Sequence, residues 1–204
     1  MKLYGCKGCG SAVVEAMLQL AGIEYEYVEA IEWEPFKHHD DLVKVNPLKQ
    51  VPTLVLDDGS IMTESAAIIL WLCERMPKLM PSDPAARAQF YRWMVYLPAN
   101  MYSIAAFRDF PAKWVEGDEA QKLFRERLTV RLRACWTQLE AALTPAPYLL
   151  GPDMSALDIY LSMIAHWWGG KTWVPENCPK IAGAIVLTEQ HPVIKKVWEK
   201  NFGK

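Results

Sequence analysis

The sequence predicts an α/β unit followed by an all-helical half, on three observations. Through Met76 the apolar periodicity switches between about 2 and about 3.6 residues; from Ala85 on it stays helical; and between them "PKLMPSDP" gathers residues that break or cap helices. The expected organisation is an α/β domain over residues 1–77, a linker over 78–84 and an all-α domain over 85–204.

Each element has its own signal. "KLYG" is a short apolar strand, and residues 11 to about 21 carry Val14, Met17, Leu18 and Leu20 at helical spacing, with Gly22 in a helix-ending position. "IEYEYVEA" alternates Ile23, Tyr25 and Tyr27 against Glu24 and Glu26, the pattern of a half-buried strand. A helix over about 34–45 must stop before Pro47, because the residue preceding a proline disfavours the α region. "TLVL" and "SIMT" flank Asp58-Gly59, which tolerates positive φ, so they form a hairpin. "SAAIILWLCERM" is the next helix, with Ser65 as its expected N-cap. The order is β-α-β-α-β-β-α with a mixed sheet. In the second half, "EAQKLFRERLTVRLRACWTQLEAAL" places apolar residues at 124, 128, 132, 135, 139 and 142, one helix face, and leaves Arg125, Arg127, Arg131 and Arg133 to a solvated side. "SALDIYLSMIAHWW" and "HPVIKKVWEKNF" continue the helical pattern.

The 204 residues are 51% hydrophobic and 23% charged, with a formal net charge of -2, a composition that can bury a full core. Interspersed charges of both signs exclude the one-sided basic patch that nucleic acid or a membrane surface would call for. The longest nearly apolar runs, "AAIILWLC" and "IYLSMIAHWW", fall short of the roughly 20 residues that span a bilayer. The N-terminus enters a strand with no apolar leader, so the expected location is cytoplasmic. Five scattered cysteines, an odd number, predict free thiols rather than a disulfide framework.

Chemistry concentrates at the first strand-to-helix turn, "GCKGCGS". A helix N-terminus presents unpaired N–H groups and a positive partial charge, which favour a thiolate placed there. Cys9 and Ser11 flank the helix start, and Gly8 and Gly10 allow close backbone approach. The plainer reading makes Cys6 and Cys9 small buried hydrophobes. C-x-x-C beside a β-α turn is also the thioredoxin-type redox signature, but there the first thiol opens the helix and the second lies inside it. Here Cys9 opens the helix, Cys6 lies back toward the strand, and the residue three beyond Cys9 is Ala12. Any redox chemistry is therefore expected to be monothiol, with an external thiol as partner. Two cysteines with His38 and His39 match no structural zinc spacing, so no metal is expected.

A second constellation is more specific. Val51-Pro52 precedes an edge-like strand, where a turn proline is often cis and the Val51 N–H and C=O can pair with an extended peptide. Further on, Glu64-Ser65 opens a helix whose N–H groups suit a ligand carboxylate, while Glu64 suits an ammonium group. "NPLKQVPTL", the hairpin and "TESAAI" closely resemble the glutathione-binding signature of the glutathione transferases. The resemblance covers essentially the whole chain, since that family joins a thioredoxin-like N-terminal domain to an all-α C-terminal one. "GPDMSALDIYL", with Ser155 and Asp158, is similar to the family's N-capping motif.

The resemblance implies glutathione as co-substrate. Val51 would be the backbone partner of its cysteinyl unit beside Pro52, and Glu64 and Ser65 would hold the γ-glutamyl end. Gln50 would reach the glycyl carboxylate, as would Lys37, His38 or His39. The catalytic position, tyrosine, serine or cysteine among the family's classes, falls on Cys9 first and Ser11 second; Tyr4 resembles a strand aromatic. Glutathione would then be delivered to a small apolar electrophile, a chemistry of detoxification. That electrophile would sit against the helical half, with Tyr96, Met101, Tyr102 and Ala105 as its wall; Trp167 and Trp168 either close the pocket or simply pack. Thiol-disulfide exchange through Cys9 is the alternative, and a non-catalytic binding or adaptor protein a further one. A homodimer is implied by the resemblance.

Overall fold

The computed structural model describes residues 1–30 and 40–203. The N-terminal unit runs β1 (Lys2–Gly5), α1 (Ser11–Leu20), β2 (Glu26–Glu29), α2 (Asp40–Val45), β3 (Thr53–Val55), β4 (Ile61–Met62) and α3 (Ser65–Cys73), in a sheet of order β2-β1-β3-β4. β1 pairs parallel with β2 and antiparallel with β3, and the hairpin turns at Gly59, whose φ is +83°. A mixed sheet of this order with helices on it is thioredoxin-like. β2 is shorter than the alternation suggests: its pairing to β1 begins at Glu26, and Tyr25 instead donates its hydroxyl to Glu15. Of the helix expected over about 34–45, the described part is α2.

Ser65 does not cap α3. Glu64 occupies the N-cap with φ +62° and ψ +104°, and the Ser65 hydroxyl shares a 2.6 Å hydrogen bond with Tyr160. Positive φ costs a non-glycine residue of order 1–3 kcal/mol and concentrates at ligand-binding places.

The chain after α3 is helical: α4 (Pro84–Tyr96), α5 (Ser103–Asp109), α6 (Asp118–Ala142), α7 (Ala156–Ile164), α8 (Gly170–Asn177), α9 (Pro179–Glu189) and α10 (Pro192–Phe202). Asp83 caps α4, accepting from the Ala86 N–H at 2.8 Å, with Pro84 in the first position, where its missing N–H costs nothing. Between α4 and α5 the backbone widens into a π turn over Leu97–Tyr102, where Pro98 removes one ladder donor. α6 buries Leu132, Cys135, Trp136 and Leu139, and its four arginines lie exposed. No helix among the described residues is long and apolar enough to cross a membrane.

One core joins the two halves. α7 is buried along its whole length and packs on α1 and α9. α1 buries Val13, Val14, Met17 and Leu18 completely, each contributing ~1.5–3 kcal/mol. Its buried Glu15 pairs with Lys200 and accepts from Asn201 Nδ2 at 3.0 Å, tying α1 to α10. The capping box read from "SALD" is present: the Asp158 carboxylate accepts from the Ser155 N–H at 2.9 Å and the Ser155 hydroxyl at 2.6 Å. It also takes the Leu149 N–H at 2.8 Å, so it fastens the preceding loop as well as the helix.

Candidate functional site

The site grows from the four residues after β1. Cys6 C=O accepts the Cys9 N–H at 3.2 Å, and Gly8 stands at φ +74°, which is the pattern of a type II turn. A turn of that kind needs positive φ at its third residue, and glycine supplies it without steric cost. Closing the turn sets the Cα atoms of Cys6 and Cys9 5.5 Å apart, and the two residues are joined as a disulfide. This corrects the sequence reading twice. Two of the five thiols are not free, and Cys9 has a partner, upstream in the turn rather than downstream in the helix.

Ser11 is also placed differently from expectation. Its side chain is completely buried, accepts the Cys6 N–H at 3.0 Å and donates to Cys6 C=O at 3.1 Å. The hydroxyl is spent on holding the turn. Cys6 is likewise fully buried, whereas Cys9 is half-exposed. α1 begins with Gly10 at its N-cap and no side-chain cap, and the Ala12 N–H donates to Cys9 C=O at 3.1 Å. The other thiols are sealed: burial pushes Cys73 up to about 12 and Cys178 up to about 11, and Cys135 is 2% exposed.

The helical half grips this turn at two points. Trp167 Nε1 donates to Gly8 C=O at 2.8 Å, and Tyr102 lies on Gly10 so closely that a Cβ there would stand 2.1 Å from the phenol oxygen. The rings of Tyr102 and Trp167 are 5.0 Å apart. Burial pushes the Tyr102 phenol up to about 12, against the pull of its hydrogen bond with the Gly10 backbone, so it remains a neutral donor at ordinary pH. Trp168 packs elsewhere, its Nε1 donating to Asp109 at the end of α5 at 2.8 Å.

The Val51-Pro52 edge borders the same turn. Tyr4 pairs with Thr53, and carrying that antiparallel register onward sets Pro52 against Gly5 and Val51 against Cys6. Val51-Pro52 is cis. The loop before it is folded by Asn46, a buried residue whose Nδ2 donates to Gln50 C=O at 3.1 Å and Thr53 Oγ1 at 2.9 Å and whose Oδ1 accepts the Leu48 N–H at 3.0 Å. Among the described residues, no turn, cap or side-chain hydrogen bond takes the Val51 N–H or C=O. Gln50 and Glu64 are exposed, and the negative Glu64 is near enough to Tyr102 and Tyr160 to disfavour their ionisation.

The first 80 or so residues match a model described as "Glutathione S-transferase, N-terminal domain" over residues 3–81. Over 98% of both chains the sequence is 35% identical to the GST-like protein YncG of Escherichia coli K12. The chain belongs to the glutathione S-transferase family. It is 31% identical to glutathione transferase GST 23 of Zea mays, over 93% of this chain and 78% of that one. Among solved structures it is similar to a glutathione transferase homologue from Sulfitobacter with bound glutathione, at a TM-score of 0.84 and 26% identity, over 98% of each chain.

Seen as a glutathione S-transferase, the molecule brings Cys9, Gly10, Val51, Pro52 and Tyr102 to one end of its sheet. Lys37, His38 and His39 lie outside the described residues. Of the four side chains expected to form the electrophile wall, Tyr102 lies on the turn. Met101 is completely buried in the core and Ala105 is buried as well, and the Tyr96 hydroxyl is turned to Gln138 on α6 at 3.0 Å. Three contributors went unassigned in the sequence: Cys6, Asn46 and the Trp167 contact to Gly8. "CKGC" with glycine third and "NP" are turn signals that point to the first two; nothing local points to the third.

Proposed function

We propose that the protein binds glutathione along the Val51 edge and uses Cys9 as the nucleophile in glutathione-dependent thiol transfer, reducing mixed disulfides. The observation that carries this reading is the contrast within one turn: Cys9 is open at an uncapped helix start, while the Ser11 hydroxyl is buried and bonded on both sides to Cys6. In this reading the Val51 N–H and C=O pair with the cysteinyl unit as an added strand does. The uncapped N–H groups of α3 take the γ-glutamyl carboxylate and Glu64 its ammonium group. Gln50 reaches the glycyl end. Cys9 thiolate then attacks the disulfide in line, releasing one thiolate, and the α1 N–H groups favour the anionic sulfur. Support for the ligand comes from the Sulfitobacter homologue, whose structure contains glutathione.

Conjugation to an apolar electrophile is the second reading, favoured by the neutral Tyr102 phenol beside Gly10, where it would hydrogen bond a glutathione thiolate.

The test measures glutathione binding by calorimetry and turnover of a glutathione mixed disulfide and of an aryl halide. Thiol transfer predicts disulfide turnover well above aryl-halide turnover, and Glu64→Ala weakening glutathione about tenfold, the worth of one partly exposed charged contact. Aryl-halide turnover alone would overturn it in favour of conjugation, and no binding would leave a non-catalytic binder. Gly10→Ala drives a methyl group into Tyr102, and disulfide turnover is expected to fall roughly tenfold to 100-fold through misplacement of the turn; unchanged turnover would remove Tyr102 from the site.

A further inference from the structure

We propose that Cys6 is the resolving thiol of a two-cysteine cycle, so that the attacking and resolving roles run in the reverse of their usual order along a C-x-x-C segment. This inference rests on Cys9 being the nucleophile. In the usual arrangement the first cysteine is open and the second is hidden in the helix. Here the second, Cys9, is half-exposed, and the first, Cys6, is completely buried.

Three features of the turn suit Cys6 to that role. Its Cα lies 5.5 Å from that of Cys9, inside the range a disulfide requires, and the two sulfurs are joined. The turn is fixed from several sides, by Gly8 at positive φ, by the Cys9 N–H on Cys6 C=O, by Ser11 on both backbone groups of Cys6, and by Trp167 on Gly8 C=O. Burial, finally, keeps outside reagents from Cys6, so a disulfide substrate or glutathione meets only Cys9.

The cycle balances. Cys9 thiolate attacks a mixed disulfide RS–SG, the S–S bond breaks, and RS⁻ leaves and takes a proton, giving Cys9–S–SG. Cys6 thiolate attacks the Cys9 sulfur and expels GS⁻, which is protonated, so the two protein thiols are oxidised and the substrate disulfide reduced. One glutathione thiolate attacks the Cys9 sulfur and releases Cys6; a second attacks the glutathionyl sulfur and releases Cys9, forming oxidised glutathione. An oriented neighbour acts at an effective concentration well above that of a free thiol at about 1 mM, so Cys6 outruns an external glutathione for the adduct.

The experiment treats the fully reduced full-length protein with one equivalent of oxidised glutathione, quenches with acid and weighs the intact chain and its peptides. The wild type is expected to lose two hydrogens, carry no glutathione and link residues 6 and 9. Cys6→Ser and Cys6→Ala are expected to hold one glutathione on Cys9 and to shed it at least about tenfold more slowly. A wild type that retains glutathione on Cys9 as its Cys6 variants do would overturn the resolving role and leave thiol transfer through Cys9 standing. No reaction at Cys9 in any of the three would sink the nucleophile reading and this inference with it. Should both Cys6 variants fail to fold, the wild-type product alone decides between linkage and adduct.

Discussion

Cys9→Ala is expected to bring reduction of a glutathione mixed disulfide down to the uncatalysed rate, a loss of at least about 10³-fold, because Cys9 is the one cysteine among the described residues that is not buried. The remaining thiols cannot substitute for it. Cys6 is buried beneath the turn, Cys73 and Cys178 are buried and held protonated, and Cys135 is sealed in α6. Glutathione affinity should survive, since the Val51 edge and the start of α3 are untouched. Ser11→Ala is the informative contrast. It leaves the nucleophile in place and deletes two hydrogen bonds that seat Cys6, so a partial loss is expected. Equal loss in both variants, or full activity in Cys9→Ala, would be incompatible with the proposed function.

Asp158→Ala is expected to be the most destabilising polar substitution in the helical half, at about 3–4 kcal/mol, from stranding three donors at roughly 1 kcal/mol or more apiece. The carboxylate is 1% exposed and accepts from Leu149 N–H, Ser155 N–H and the Ser155 hydroxyl. Burial pushes its carboxyl above the usual carboxylate range, against the pull of the three donors that hold the group in place. Asp158→Asn should recover about 1 kcal/mol, because an amide oxygen still serves one donor while the amide NH₂ confronts the others. The measurement is a guanidinium unfolding midpoint at unchanged slope. A cost below about 1 kcal/mol for alanine would mean that water replaces the carboxylate.

The order of strands and helices was legible because periodicity is a local property, and the capping box was legible because both partners sit within one turn of helix. Legibility ended where distant partners decide. Ser65 reads as a cap from its neighbours, yet its hydroxyl goes to Tyr160, 95 positions away. Met101 has the composition of a pocket wall, yet it is completely buried, which no neighbour in sequence announces. Cys6 carries a local signal: the familiar C-x-x-C register points into the helix, whereas "CKGC" as a glycine-bearing turn points back to the strand. The cis bond before β3 was legible in "VP", but the Asn46 clamp that folds its loop depends on which polar group ends up buried, and spacing does not specify that.

The grip of Trp167 on Gly8 spans 159 positions of sequence. Synthesis at ~5–20 residues per second therefore separates the arrival of the two thiols from the arrival of that indole by roughly 8–32 s. For that interval the nascent chain already owns both sulfurs and the glycine turn but lacks the indole that holds Gly8 C=O. The finished arrangement is thus completed only when the helical half has been made, although its chemistry is written in the first part of the chain.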